Sequence, residues 1–352
     1  MELICPQCCS ELRRVPGPRE ASSGDNSAGR RAALAPAAQS QGCEAPREDA
    51  WRCDHCAKQF PIRQGVVCFL KENDPFYEGR FPGTYAICPP GTRVGRLFLW
   101  LRLRWALDLQ YAAMLRRRLT PHHRRILDLG CGGGNTELLR HGAEVVGVDL
   151  SFGSLRNAAA VYAAALQASA ARLPFPDASF EAIVSSNFLG HIPFEEKEAV
   201  YNEMRRLLAP GGVMLHEIET DSAGALFRYA RGDPGFFQKQ MIDLDGHVGA
   251  EMPRASLERF RRHGFEIEWA RADFVWYFLP QGELLKRFDN AYSRRNPILR
   301  ALLALDRLLA DRPRARKMAD LLFGVANGLA RSVTPLDKGI GLCIVARRPR
   351  NP

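Results

Sequence analysis

Two groups of residues in this sequence have the types and spacing to do chemistry. The first lies in "RILDLGCGGGNTELLRHGAEVVGVDL", residues 125–150. There a D-x-G-x-G-x-G run from Asp128 through Gly130, Gly132 and Gly134 is followed by a second acid, Asp149. Apolar residues around both acids mark strands, and glycines let a loop backbone come close to a bound nucleotide. A dinucleotide fingerprint, G-x-G-x-x-G/A, asks for a small residue three positions after Gly132, and Asn135 stands there. Asp128 also places a carboxylate just before the loop, where it would repel a pyrophosphate. S-adenosylmethionine suits the loop better, because it has no phosphate and its ammonium and sulfonium tolerate a nearby carboxylate. Asp149, closing the second strand, is placed to accept hydrogen bonds from both ribose hydroxyls. An NAD-dependent oxidoreductase is the runner-up and lacks its third glycine.

The second group is cysteine. "CPQC" at Cys5–Cys8 and "CDHC" at Cys53–Cys56 form two C-x-x-C knuckles, whose four thiolates suit tetrahedral zinc in a structural role. The gap between the pairs exceeds that of a compact ribbon. Residues 13–50, rich in Ala, Gly, Ser, Pro and Arg without periodicity, account for the excess as a disordered insertion. Closing a longer flexible loop adds little entropy cost. Cys9, Cys43 and His55 are spare candidates for the ligand set.

The elements that must position these residues alternate between strand and helix, which argues a parallel, doubly wound sheet. A Pro- and Gly-punctuated linker at 71–95 leads into a helical, Trp- and Arg-rich stretch at 96–119. Strands are expected at Ile126–Leu129, Glu144–Asp149, Ala182–Ser186, Val213–Ile218 and Phe265–Ala270, with a last one in "GIGLCIVARR". Helices are expected near Asn135–His141, over Ser154–Gln167, at Glu195–Leu208 and at Arg254–His263, and a third strand is poorly marked. A helical stretch at 281–332 includes "PILRALLALDRLLADR", with a stripe at Ile298, Leu302, Leu305 and Leu309 expected to pack on the domain. No segment has the length and apolarity of a membrane span, and the first residues lack a secretory signal, so the expected setting is cytoplasmic.

Four blocks in order, "ILDLGCGGG", "VVGVDLS", "LPFPDASFEAIVSSNFLGHIP" and "EMRRLLAPGGVMLHEIE", make residues 124–219 resemble class I S-adenosylmethionine-dependent methyltransferases. The resemblance is strongest to the group that includes quinone-biosynthesis C-methyltransferases. It implies a seven-stranded Rossmann-like α/β fold, with Gly130, Gly132 and Asp149 on the cofactor. The backbone around Ala170 and Ala171 would frame the adenine, and Asn187 and Phe188 would face the methionine moiety. One position departs: the family's adenine-binding Asp, four residues before Leu173, is Ser169 here, a weaker acceptor. The front of the chain resembles the zinc-ribbon module related to small methyltransferase activator proteins. The expected organisation is thus a ribbon module at 1–70, the linker at 71–95, and a methyltransferase domain at 96–352 carrying a helical cover at 281–332.

Methyl transfer needs alignment more than acid–base chemistry, and candidates for a base are His191, Glu217, Glu219 and His247. For each histidine a helix cap or core hydrogen bond is an equal reading. The acceptor is expected to be small or lipid-linked, such as a surface-glycan intermediate or a quinone precursor, and O-methylation is expected. The basic segments decide this preference. Residues 93–125 hold nine Lys or Arg against one acid and residues 290–352 thirteen against four, so the rest of the chain is acidic although the whole is +10. Arg mixed with Trp and Leu suits peripheral contact with an anionic membrane. Ribosomal or transfer RNA is the alternative partner, and a non-catalytic activator on the same fold is the alternative of another class.

Overall fold

In the computed structural model the described residues are 1–16, 49–105, 109–273 and 288–350. Eleven strands form one sheet: β1 (Leu12–Val15), β2 (Ala50–Cys53), β3 (Gln59–Arg63), β4 (Val66–Cys68), β5 (Arg125–Leu129), β6 (Glu144–Asp149), β7 (Ala164–Gln167), β8 (Phe180–Ser186), β9 (Leu208–Glu219), β10 (Glu266–Ala272) and β11 (Gly341–Arg347). Their spatial order is β1-β2-β3-β4-β7-β6-β5-β8-β9-β11-β10. The seven strands from β7 to β10 are the expected Rossmann-like methyltransferase sheet, all running one way except β11, which is antiparallel to both its neighbours β9 and β10. The strands of the N-terminal segment, β1 to β4, continue it, because β4 pairs in parallel with β7.

Helices are α1 (Arg93–Trp105), α2 (Gln110–Arg118), α3 (Phe152–Ala159), α4 (Phe194–Leu207), α5 (Ala225–Ala230), α6 (Pro234–Phe237), α7 (Pro253–Arg262), α8 (Pro297–Ala310) and α9 (Pro313–Ala330). They cover both faces of the sheet. Alternate strand residues feed two cores: Leu127, Val146, Ile183 and Met214 pack toward α4 and α7, while Ile126, Val145, Val184 and Leu215 pack toward α2 and α3. The reason is the period-two pleat of strands buried on both sides. α4 shows how sequence makes a face: Lys197, Val200, Tyr201, Met204 and Leu207 are buried at helical spacing, with Glu195 and Glu196 in the first turn and Arg205 and Arg206 in the last. Those charges complement the helix dipole. Each apolar side chain so buried is worth about 1.5–3 kcal/mol of transfer free energy.

Four expectations need correction. The helix expected over Ser154–Gln167 ends at Ala159, and its alanine-rich remainder forms β7. Alanine favours helix intrinsically, but here the sheet offers hydrogen-bonding neighbours on both sides, β4 and β6. The insertion does not begin at Arg13, since Arg13–Val15 belong to β1 and pair with Ala50–Arg52; residues 17–48 lie outside the described residues. The stripe on α8 is displaced: Leu299, Leu303 and Asp306 are buried, whereas Ile298 and Leu305 are exposed. Finally, the segment read as a linker packs on the loop after β5, as described below. Of the helical cover, residues 281–287 lie outside the described residues.

Candidate functional site

The strand order reverses at β5, whose neighbours are β6 and β8. In open α/β sheets a ligand crevice forms at that point, beyond the carboxyl ends of the strands. A cavity of about 720 Å³ lies there, within the range of small-molecule sites, ~300–1,000 Å³. Its walls include all eight residues assigned to the cofactor from sequence: Asp128, Gly130, Gly132, Gly134, Asp149, Ser169, Ala170 and Asn187.

Each is held by local structure. The Asp149 carboxylate accepts from Gly132 N at 2.8 Å and Ser151 N at 2.9 Å, which ties the loop to the end of β6. Burial lifts its pKa against those two N–H groups. A carboxylate oxygen keeps a second acceptor site, so these bonds are compatible with ribose hydroxyls. Asp128 is buried below the loop and accepts from the Tyr162 hydroxyl at 2.7 Å. Burial pushes it to about 7, outweighing the Tyr162 bond, and the nearby Asp149 adds to the rise. Asn187 follows β8 with φ 52°, a left-handed conformation that Asn tolerates better than most residues. Its N–H is held by Glu217 O at 3.0 Å. Ser169 accepts from Ala171 N at 3.3 Å, which orients its hydroxyl at the cavity wall beside Ala170.

Sequence reasoning missed the roof. Asp74, Tyr77, Phe81, Gly83 and Tyr85, all from the supposed linker, line the cavity. Tyr85 N donates to Gly134 O at 2.8 Å and Thr136 N donates to Tyr85 O at 2.9 Å, so this segment is bonded to the glycine loop. A Cβ on Gly133 would stand 2.2 Å from the Pro82 carbonyl oxygen, so that position accepts no side chain. The signal was the aromatic density of "DPFYEGRFPGTY", unusual for a spacer.

The base candidates collect at the other end of the cavity. His191 lies after β8, Glu219 closes β9, and His247 sits in the "DLDGHVG" loop. His191 Nε2 is 3.7 Å from Glu219 Oε2, and His247 Nε2 is 3.3 Å from Glu219 Oε1. The two rings cross edge-on with centroids 4.9 Å apart. The loop is pinned there: Gly249 N donates to Gly190 O at 3.0 Å, and a Cβ on Gly249 would fall 1.7 Å from the Ile192 carbonyl oxygen. Burial pushes Glu219 up, but His191 and His247 outweigh it and hold it at about 2. Glu217 also reaches the cavity but belongs to a different cluster. It accepts from Ser186 Oγ at 2.5 Å. Burial and the neighbouring Asp273 carboxylate push its pKa well up.

Outside the cavity lining, Cys5, Cys8, Cys53 and Cys56 converge, with Sγ–Sγ distances of 3.6 Å for Cys5–Cys56 and 3.4 Å for Cys8–Cys53. Four sulfurs at about 2.3 Å from zinc would stand ~3.8 Å apart. The residue after each knuckle, Cys9 (φ 60°) and Ala57 (φ 56°), has the same left-handed turn, so both knuckles present their sulfurs alike. Cys9 and His55 are exposed and stand outside the group; Cys43 lies outside the described residues. Leu3, Cys5, Cys53 and Phe60 share one core with Leu173 and Phe175 of the sheet domain.

The basic helix α1 has no buried residue and no acid. Trp100 and Trp105 are 57% and 62% exposed, beside exposed Val94, Leu97 and Phe98. Among the described residues no helix is long and apolar enough to cross a membrane.

Parts of the chain are similar to known proteins. Residues 127–216 match the family model of a methyltransferase domain. Demethylmenaquinone methyltransferase of Thermus thermophilus is 37% identical over 99 residues, covering 25% of this chain and 44% of that protein. Ubiquinone biosynthesis O-methyltransferase of Psychrobacter cryohalolentis is 27% identical over 201 residues, covering 53% of this chain and 73% of that protein. Among solved structures, phosphoethanolamine N-methyltransferase 2 of Haemonchus contortus superposes with TM-score 0.43 and 21% identity, over 68% of this chain and 52% of that one. The match spans 59%, 26%, 36% and 44% of the lengths of four of the curated relatives.

Proposed function

We propose that this chain is an S-adenosylmethionine-dependent methyltransferase that methylates an oxygen of a small or lipid-linked acceptor. The carrying observation is the single cavity that joins the Asp128–Gly134 loop, Asp149, Ser169, Ala170 and Asn187 at the reversal of the sheet. The family match over residues 127–216 supports the same reading.

In this reading Asp149 accepts from the ribose hydroxyls, Ser169 and Ala170 frame the adenine, and the Gly130–Gly134 loop runs beneath the methionine moiety. Tyr77 and Phe81 close the site from above and exclude water. The acceptor enters from the end holding His191 and Glu219. Its oxygen attacks the methyl carbon in line with the carbon–sulfur bond; the carbon–oxygen bond forms as the carbon–sulfur bond breaks. Sulfur keeps the bonding pair and becomes a neutral thioether, and the acceptor's hydroxyl proton leaves to solvent. Holding the two reactants in line supplies most of the rate. The Psychrobacter relative, named a ubiquinone biosynthesis O-methyltransferase, supports an oxygen nucleophile.

The exposed Trp, Leu and Phe of α1, interleaved with Arg, suit an anionic bilayer surface, which favours a membrane-borne acceptor over RNA. Residues 290–352 carry a second basic stretch, with Ile298, Leu308 and Met318 exposed. The four cysteines hold a structural zinc ion. To test the reading, methyl-labelled cofactor is supplied with bacterial lipid, glycan and RNA fractions. Label in the lipid or glycan fraction supports it, and label confined to RNA contradicts the acceptor assignment.

A further inference from the structure

We infer that His191, Glu219 and His247 form a divalent-cation site at the acceptor end of the cavity. The ligand atoms of the three residues lie within 4.8 Å of one another. Donors bound at about 2.1 Å to one first-row ion stand roughly 3.0–3.5 Å apart, according to geometry. The two Nε2–carboxylate separations, 3.3 and 3.7 Å, are close to that spacing. The longer one exceeds a hydrogen bond. Glu219 Oε2 is buried and has no hydrogen-bond partner among the described residues, a costly arrangement for an ionised oxygen.

The outer nitrogens give an independent argument. His191 Nδ1 faces the Tyr77 hydroxyl at 3.4 Å, and His247 Nδ1 faces the Asp245 carboxylate at 3.9 Å. Both rings thus turn Nε2 toward Glu219 while Nδ1 looks at an oxygen behind. Metal-binding histidines commonly have an oxygen behind the outer nitrogen; at 3.9 Å the Asp245 carboxylate is beyond hydrogen-bond reach and acts on the ring as a neighbouring charge. The fold also holds His247 in place, since the Gly249 contacts lock its loop against Gly190 and Ile192.

Two imidazoles and one carboxylate suit manganese, iron, cobalt or zinc better than magnesium or calcium. His191 and Glu219 line the cavity, so coordination positions left open on the ion face the acceptor. Resting on the methyltransferase reading, the acceptor is then one that ligates the ion through its hydroxyl oxygen. Coordination lowers the pKa of that hydroxyl, its proton passes to solvent, and the oxygen meets the methyl carbon as an anion.

The test uses the full zinc-loaded chain, titrated with manganese(II) by electron paramagnetic resonance and with cobalt(II) by its visible d–d bands. Manganese has little affinity for a tetrathiolate site, so its binding reports on this cluster. We expect one equivalent bound in the wild type. His247→Ala and Glu219→Gln should each weaken it at least about ten-fold, with S-adenosylmethionine affinity retained. Absence of both metals from the wild type, or unchanged binding in both variants, overturns the cation site. Failure of the methyltransferase reading would appear separately, as wild-type protein that takes the metal but not the cofactor.

Discussion

The two ends of the cavity were built by different means. The cofactor end comes from contiguous stretches: β5 with its loop, the tip of β6 and the turn at Ser169–Ala170. The histidine end, which we propose takes the acceptor, is gathered from the tips of β8 and β9, the "DLDGHVG" loop and the segment around Tyr77, more than a hundred residues from His191. A nucleotide is a constant ligand, and one loop of fixed backbone shape suffices to hold it. An acceptor varies, and its contacts can be recruited from any segment that reaches the same rim.

That contrast explains what the sequence revealed. Asp128, Gly130 and Asp149 were legible because their spacing is set by one strand–loop–strand unit. The convergence of His191, Glu219 and His247 was not, because no spacing rule relates residues brought together by separate loops. The roof was missed since Pro and Gly punctuation in 71–95 reads as a spacer, whereas here it shapes a segment lying on Gly133. β7 was missed because its alanines favour helix and only the sheet context overrides them. The four cysteines were legible from type and spacing alone, but that their module would share the domain's core was not.

The largest expected effect lies outside both ends. Cys53→Ser removes one thiolate from the set, and loss of the metal should unfold the ribbon and the edge at β4. A fall in Tm of about 10 °C, with zinc content dropping below one per chain, is expected; full zinc occupancy would contradict the tetrathiolate site.

At the cofactor end, Asp128 carries a pKa of about 7, raised by burial. A carboxyl whose folded pKa is raised binds its proton more tightly in the folded state. Its stabilising contribution is therefore present at low pH and lost as pH rises from about 4 to 7. The loss amounts to a few kcal/mol, because each tenfold gain in proton affinity on folding is worth about 1.4 kcal/mol. The cofactor-free protein should lose stability across that window, and Asp128→Asn should flatten the slope. Identical slopes in chemical denaturation would remove Asp128 from the account.

At the acceptor end, Gly249→Ala places a Cβ on the Ile192 carbonyl and pushes the His247 loop outward. Overpacking of this kind costs about 1–3 kcal/mol. Methyl transfer should fall while cofactor affinity holds; equal loss of both would erase the distinction between the two ends. The smallest effect belongs to Ser169→Asp, which supplies a charged acceptor for the adenine amino group. Cofactor affinity should rise a few-fold, about 1 kcal/mol, as read by equilibrium binding, and weaker binding would show that the adenine lies elsewhere.

The most direct test of the central claim is calorimetric titration of S-adenosylmethionine into the zinc-replete wild type and into Asp149→Ala. The account predicts micromolar binding by the wild type. It predicts a loss of about a hundred-fold in the variant, since hydrogen bonds to a charged group contribute roughly 1.5–3 kcal/mol each. A wild type that does not bind the cofactor, or a variant that binds it equally well, would contradict the assignment of this cavity.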